Sequence, residues 1–156
     1  MFTAKKFSDL TVEELNAIYI ARSKVFTVGQ QLTVQEPDLA DRQAVHFFSQ
    51  NDAGEVVAYK RLIDLEKIED DHYEQVSGAY ALSRVAVLKT LRGQGMGRKL
   101  LDAAIQWVRD ETEATKIIID AQAYLRDSYY APVGFVQVGE EFREAGLPHV
   151  KMILEL

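Results

Sequence analysis

The sequence predicts an α/β fold, a central sheet layered with helices, and three observations carry that expectation. A β-branched stretch from Ala79 to Leu88 runs through Gly93, Gly95 and Gly97 into an amphipathic stretch from Gln94 to about Glu113. Ile117-Ile118-Ile119 shows no alternation of apolar and polar residues, which suits a central strand covered on both faces. From end to end, strand-like and helix-like segments succeed one another as βαβββαβαββ, the interleaving of a sheet layered with helices.

Each element has its own local reason. Phe2 to Phe7 alternates well enough for a first strand. Thr11-Val12-Glu13-Glu14 is a capping box, and Leu15, Ile18, Tyr19, Arg22, Val25 and Phe26 follow at helical spacing, with Gly29 placed to end the helix. Gln30 to Ala44 carries Pro37 and several acids and reads as a loop or a broken short helix. Val45 to Gln50 and Glu55 to Leu65 are strands joined by the turn Asn51-Asp52-Ala53-Gly54. The acidic run Glu66 to Glu74 reads as a solvated loop. Beyond the glycines, Leu100, Leu101, Ala104, Ile105 and Val108 line one face, so that helix lies on the sheet. Leu125 to Ala131 fits a short helix stopped by Pro132, and Phe135 to Val138 and His149 to Leu156 close the order of strands.

Composition narrows the function classes. The 156 residues suit one domain spanning 1–156, with enough chain to bury a core. There is no cysteine, which excludes disulfides, an acyl-cysteine intermediate and thiolate metal ligands. His46, His72 and His149 lack the H-x-x-x-H spacing of a zinc site, so no metal is expected, and no G-x-S-x-G is present. The formal charge of −6 argues against a nucleic-acid partner and mildly favours a cationic substrate such as an amine. No apolar run is long enough to span a membrane, and the N-terminus lacks the apolar core of a signal peptide, so a cytoplasmic enzyme is expected. Nothing in the sequence decides between a monomer and a homodimer.

The glycine loop carries the chemistry. A helix that starts behind such a loop offers unpaired N–H groups and the positive end of its dipole, a cradle for phosphate. A Walker loop would need a glycine followed by Lys and then Ser or Thr, and none is here. A dinucleotide fingerprint starting at Gly93 and Gly95 would need its third glycine where Arg98 stands, although Asp120 supplies the acid about twenty residues on. The residues do match Arg-x-x-Gly-x-Gly as Arg92, Gly95 and Gly97, behind Arg84-Val85-Ala86-Val87. This resembles the acetyl-CoA motif of the GNAT N-acetyltransferase superfamily. Ala121-Gln122-Ala123-Tyr124-Leu125 with Tyr130-x-x-x-Gly134-Phe135 is similar to a second GNAT block. Arg22-x-x-Val25-Phe26-x-Val28-x-Gln30, Glu36-x-Asp38 and Gly146-x-Pro148-His149 resemble the ElaA-like branch.

The resemblance spans the chain and implies a splayed, mixed sheet of about seven strands, with acetyl-CoA held in the cleft between the fourth and fifth. It implies an acetyl-CoA-dependent N-acetyltransferase that moves an acetyl group directly to a primary amine of a small molecule or peptide. A non-catalytic acyl-CoA-binding or sensing module of the same fold is the alternative, and a nucleotide-binding module the third reading. Backbone amides of Arg92, Gly93, Gln94, Gly95, Met96 and Gly97 would hold the pyrophosphate, with Arg92 or Arg98 adding charge. The edge from Val85 through Ala86 to Val87 would pair with the pantetheine arm, and Gln122 would offer an amide. A bulge in the fourth strand would turn the N–H of Ala86 or Val87 toward the developing oxyanion. A tyrosine, protonated at neutral pH, would donate to the departing sulfur. Counting back from Gly134 selects Tyr130 and counting forward from Gln122 selects Tyr129, because the segment is one residue longer than the usual pattern. Glu36, Asp38 and His149 are the candidates for the base.

Overall fold

In the structure, a computed structural model that describes residues 1–156, seven strands form one sheet in the order β1-β2-β3-β4-β5-β7-β6. The strands are β1 (Thr3–Lys6), β2 (Val45–Gln50), β3 (Val56–Asp64), β4 (Ala79–Val87), β5 (Lys116–Gln122), β6 (Val136–Glu144) and β7 (Leu147–Glu155). Every neighbouring pair is antiparallel except β4 and β5, which are joined by the crossover helix α2 (Met96–Glu111) as parallel strands require.

The two helices cover opposite faces. Leu100, Leu101, Ala104, Ile105 and Val108 of α2 pack on Phe47, Leu62, Leu82, Ile117, Ile119 and Met152. Burying each of these large side chains contributes roughly 1.5–3 kcal/mol, which fixes α2 across the β4–β5 crossover. On the other face α1 (Val12–Arg22) sets Ile18 and Ala21 on Phe48, Tyr59 and Ala86. Its N-terminus carries the capping box expected of Thr11 and Glu14. From Val56 to Ile63, β3 is wholly buried, so its residues alternate between two covered faces. Ala58 and Leu62 face α2, Tyr59 faces α1, and by the same period Lys60 faces α2 and Arg61 faces α1.

Two irregularities of β4 shape everything near the glycine loop. Tyr59 pairs with Ala86 and Arg61 with Ser83, so Lys60 alone opposes both Arg84 and Val85. This is a β-bulge with its extra residue on β4, and Arg84 sits in it at φ 54, a left-handed conformation that costs energy in any residue with a Cβ. The second irregularity is a parting of strands. Ala79–Ala81 pairs with Lys116–Ile118, and beyond those residues β4 and β5 diverge, leaving the facing edges of Leu82–Val87 and Ile119–Gln122 without a ladder.

Several boundaries differ from the sequence expectation, each for a local reason. Helix α2 starts at Met96 and not at Gln94, because Gly95 at φ 77 is left-handed and serves as its N-cap. After Arg22 the first helix widens into π-type turns over Ser23–Gly29 before it ends. Leu125 to Ala131 is not a regular helix: a 3-10 turn (Ala123–Leu125), a π turn (Arg126–Tyr130) and a second 3-10 turn (Ala131–Val133) follow one another, with Pro132 opening the last. Strand β6 runs on to Glu144 through a bulge beyond Val138. The acidic insert is solvated only in part, since Ile68 is buried under β3 and β4 and the Tyr73 hydroxyl accepts from Arg61.

Candidate active site

At the diverging end of β4 the chain turns through Gly93 and Gly95, both at φ 77, and a Cβ on either would meet open space. The glycines are therefore required by the backbone and not by crowding. No side chain caps α2, so the first-turn N–H groups are left for a ligand, and the helix dipole favours an anion there. Arg92 folds back to donate from Nε to the Val87 carbonyl at 3.1 Å, and Gln94 donates to Thr90 O at 3.1 Å, so both stiffen the loop. Arg98 lies over the Tyr129 ring with its guanidinium carbon 4.9 Å from the centroid, and its buried Nη1 has no partner. An uncapped helix start, an open glycine loop and a spare guanidinium nitrogen fit the pyrophosphate of an acyl-CoA.

The free edge of β4 begins beside this cradle. Leu88 N–H donates to Val57 O at 3.0 Å, toward β3. Successive N–H groups alternate sides along an antiparallel strand, so Ala86 also turns to β3 while Val87 turns to the open side facing β5. Of the two amides considered from sequence, only that of Val87 is aimed into the cleft. Across the cleft Gln122 ends β5 and, with Ala123, Tyr124, Glu141, Leu147 and Pro148, lines a cavity of about 410 Å³.

The two tyrosines sit on the π turn Arg126–Tyr130. Their rings meet edge to face at 4.7 Å. Tyr129 donates its hydroxyl proton to the Gly97 carbonyl in the first turn of α2. Burial pushes its phenol up to about 12, with Arg98 pulling the other way. Tyr130 is 6% exposed, packs edge to face on Phe135, and lies 5.9 Å from the Nζ of Lys60 across its ring face. Its hydroxyl has no hydrogen-bond partner, and burial, with Tyr129 and Tyr124 adding to it, pushes the phenol up, so it stays protonated at neutral pH.

Glu36 and Asp38 are both held by arginines. Glu36 Oε1 accepts from Arg22 Nε at 2.7 Å and lies 3.2 Å from Arg84 Nε, while Asp38 accepts from Arg61 and, at 3.3 Å, from Arg84. Between the two buried guanidiniums lies Asp41, 2.8 Å from Arg22 and 2.9 Å from Arg61. Burial resists ionisation of Asp41, but the two arginines outweigh it and hold its carboxyl below the usual range. His46 Nε2 faces the Asp41 carbonyl at 2.8 Å and so must carry the proton, which leaves Nδ1 to accept from Tyr59 at 2.8 Å. Burial holds this imidazole neutral, its pKa lowered. The network ties the first loop to the Arg84 bulge on the α1 face, whereas Lys60 and Tyr130 lie on the α2 face. Beside the network, Phe7, Tyr19, Pro37, Asp38 and Leu39 help to line a second cavity of about 300 Å³.

His149 is elsewhere. It pairs with Gln122 in the sheet, with Nδ1 donating to Leu147 O at 2.8 Å and Nε2 3.4 Å from a Glu144 oxygen. Reading the sequence for motifs passed over Arg61, Asp41 and Lys60. The signal was the pair Lys60-Arg61 inside the otherwise apolar run from Val56 to Ile63, because buried cations demand either partners or a purpose.

Comparison with known proteins bears on the fold and the family. The Acetyltransferase (GNAT) domain family matches residues 10–156. A UPF0039 protein of Schizosaccharomyces pombe is 33% identical, over 99% of this chain and 97% of its own. The crystal structure of an acyl-CoA N-acyltransferase from Pseudomonas aeruginosa superposes with a TM-score of 0.86 at 34% identity, covering 98% of this chain and 97% of that one. The crystal structure of Escherichia coli ElaA gives a TM-score of 0.85 at 27% identity, with 99% of each chain covered. The seven-stranded mixed sheet is the acyl-CoA N-acyltransferase fold, and the chain belongs to the GNAT family of acyl-CoA-dependent acyltransferases.

Proposed function

We propose that this protein transfers an acetyl group from acetyl-CoA directly to a primary amine of a small molecule or peptide, in the cytoplasm. The observation that carries the reading is the parting of β4 and β5 beside the uncapped start of α2, with Tyr130 on the far wall. When bound, the thioester supplies an activated acyl carbon. The cradle residues Arg92 to Gly97 bind the pyrophosphate through their amides, and Arg98 adds its free Nη1. Val85 and Val87 extend the β4 edge along the pantetheine arm, and Gln122 closes the opposite side. The Val87 N–H donates to the acyl oxygen as negative charge gathers there, a fixed dipole needing no reorganisation. Tyr130 keeps its proton until the C–S bond breaks and then gives it to the sulfur.

The acceptor must lose a proton to attack. Both Asp38 oxygens and Glu36 Oε1 are engaged by arginines, so His149 Nε2, beside Gln122 and free of any guanidinium, is assigned that proton, with Glu36 Oε2 as the second candidate. Glu36 and Asp38 then hold the first loop against the Arg84 bulge. The test is incubation with acetyl-CoA and a broad panel of amines while free thiol is followed. Thiol release with at least one amine is expected; tight CoA binding with no release would instead favour the non-catalytic binding module. CoA should stabilise the fold where NAD and ATP do not.

A further inference from the structure

We infer that Lys60 is a positioning residue that sets the acidity of the Tyr130 phenol by placing a cation on the face of its ring. This rests on the reading of Tyr130 as the acid. Lys60 has 0% exposure, and its Nζ has no hydrogen-bond partner and no ion pair. It projects from the middle of β3 opposite the β4 bulge and ends 5.9 Å from the centre of the Tyr130 ring. A lysine so buried is costly, and an apolar residue would ordinarily be the more stable choice. The one group the amine meets is the π face of the tyrosine, whose quadrupole attracts an ammonium.

The groups packed around Lys60 leave it free to act on that ring alone. Phe47 opposes it on β2. On β4, Arg84 is turned to Glu36 and Asp38 on the other face. From α2, Arg98 and Asp102 act on Tyr129. No acid faces the amine, and burial alone pushes its pKa down to about 7. Burial raises the Tyr130 phenol, which makes it a reluctant donor; an ammonium on its ring stabilises phenolate character and opposes that rise. The sign follows directly. Lys60 is charged below about pH 7, where Tyr130 is the better acid, and the help fades as Lys60 loses its proton.

The experiment labels tyrosine at the Cζ carbon and follows its NMR resonance with pH, with Tyr130 assigned from Tyr130→Phe. In the wild type the Tyr130 signal should inflect near pH 7, and in Lys60→Met the inflection should vanish. The ratio of wild-type to Lys60→Met turnover should be several-fold near pH 6 and fall toward one near pH 9, a shift of about one pKa unit at the phenol being worth at most about tenfold in rate. Taking the ratio cancels the ionisation of the acceptor amine. Lys60→Arg keeps the cation and should restore the low-pH rate without an inflection; thermal unfolding and CoA binding verify that each variant is folded. A flat Tyr130 resonance in the wild type, or a ratio independent of pH, overturns the inference. If the wild type releases no thiol with any amine, the acetyltransferase reading fails on its own, and the resonance still decides whether Lys60 sets the acidity of the phenol.

Discussion

Adjacent tyrosines at the same turn differ because one hydroxyl is already engaged. Tyr129 is fixed by the Gly97 carbonyl below and by Arg98 over its ring, which makes it a brace between the π turn and the cofactor cradle. Tyr130 has its hydroxyl free. Tyr130→Phe should therefore lower kcat by roughly 100-fold or more, the lower end of what general acid catalysis contributes, while the Kd for CoA stays within about twofold. Tyr129→Phe should raise that Kd several-fold with a smaller effect on kcat; the opposite pattern would exchange the two roles. The spacing to Gly134 and Gln122 made both tyrosines legible in the sequence, because it is a count along the chain. Which hydroxyl was free could not be counted, since the answer depends on Gly97, 32 residues away. Lys60 was hidden for a related reason: a strand pattern shows that a position is buried, not what its side chain touches.

Local elements were the most legible. The capping box, the hairpin turn and the strand-loop-helix around the glycines each follow from neighbours in sequence, and each formed where expected to within a few residues. The turns between β5 and β6 were less so, since an extra residue and Pro132 leave several backbone solutions, and the packing of Tyr130 on Phe135 selects among them. At the cradle, Gly95 is held in a conformation that a Cβ disfavours, though the space beside it is empty. Gly95→Ala should thus cost about 1 kcal/mol and lower Tm by a few degrees, with CoA affinity reduced about tenfold. Calorimetric unfolding and CoA titration check it. Unchanged affinity would mean that the cradle amides do not hold the cofactor.

Across the whole molecule, the ionic network joins α1, the first loop, β2, β3 and β4 through residues with no common spacing, which is why it escaped the sequence. Asp41→Asn would leave Arg22 and Arg61 with half their compensation in a dry interior, and a loss of about 3–5 kcal/mol is expected from urea unfolding. The same network sets the acid limit of the fold. Asp41 titrates below the usual carboxylate range and His46 below the usual histidine value, so the folded state binds fewer protons than the unfolded chain as pH falls. Their contribution to stability is whole above the ordinary histidine pKa. It declines first as His46 is forced to charge, and then further as pH drops through the lowered value of Asp41. Urea midpoints measured between neutral and acid pH should fall in the wild type and be flatter in Asp41→Asn.

Beyond Ala81 and Ile118 the sheet is two sheets, and a bound pantetheine arm would be the piece that makes them one. Emptying the site is then equivalent to pulling an inner strand, so occupancy and local order are the same variable. Hydrogen exchange offers the check: the Val87 amide should exchange quickly in the free protein and slowly with acetyl-CoA, while Ala86, already turned to β3, should change little.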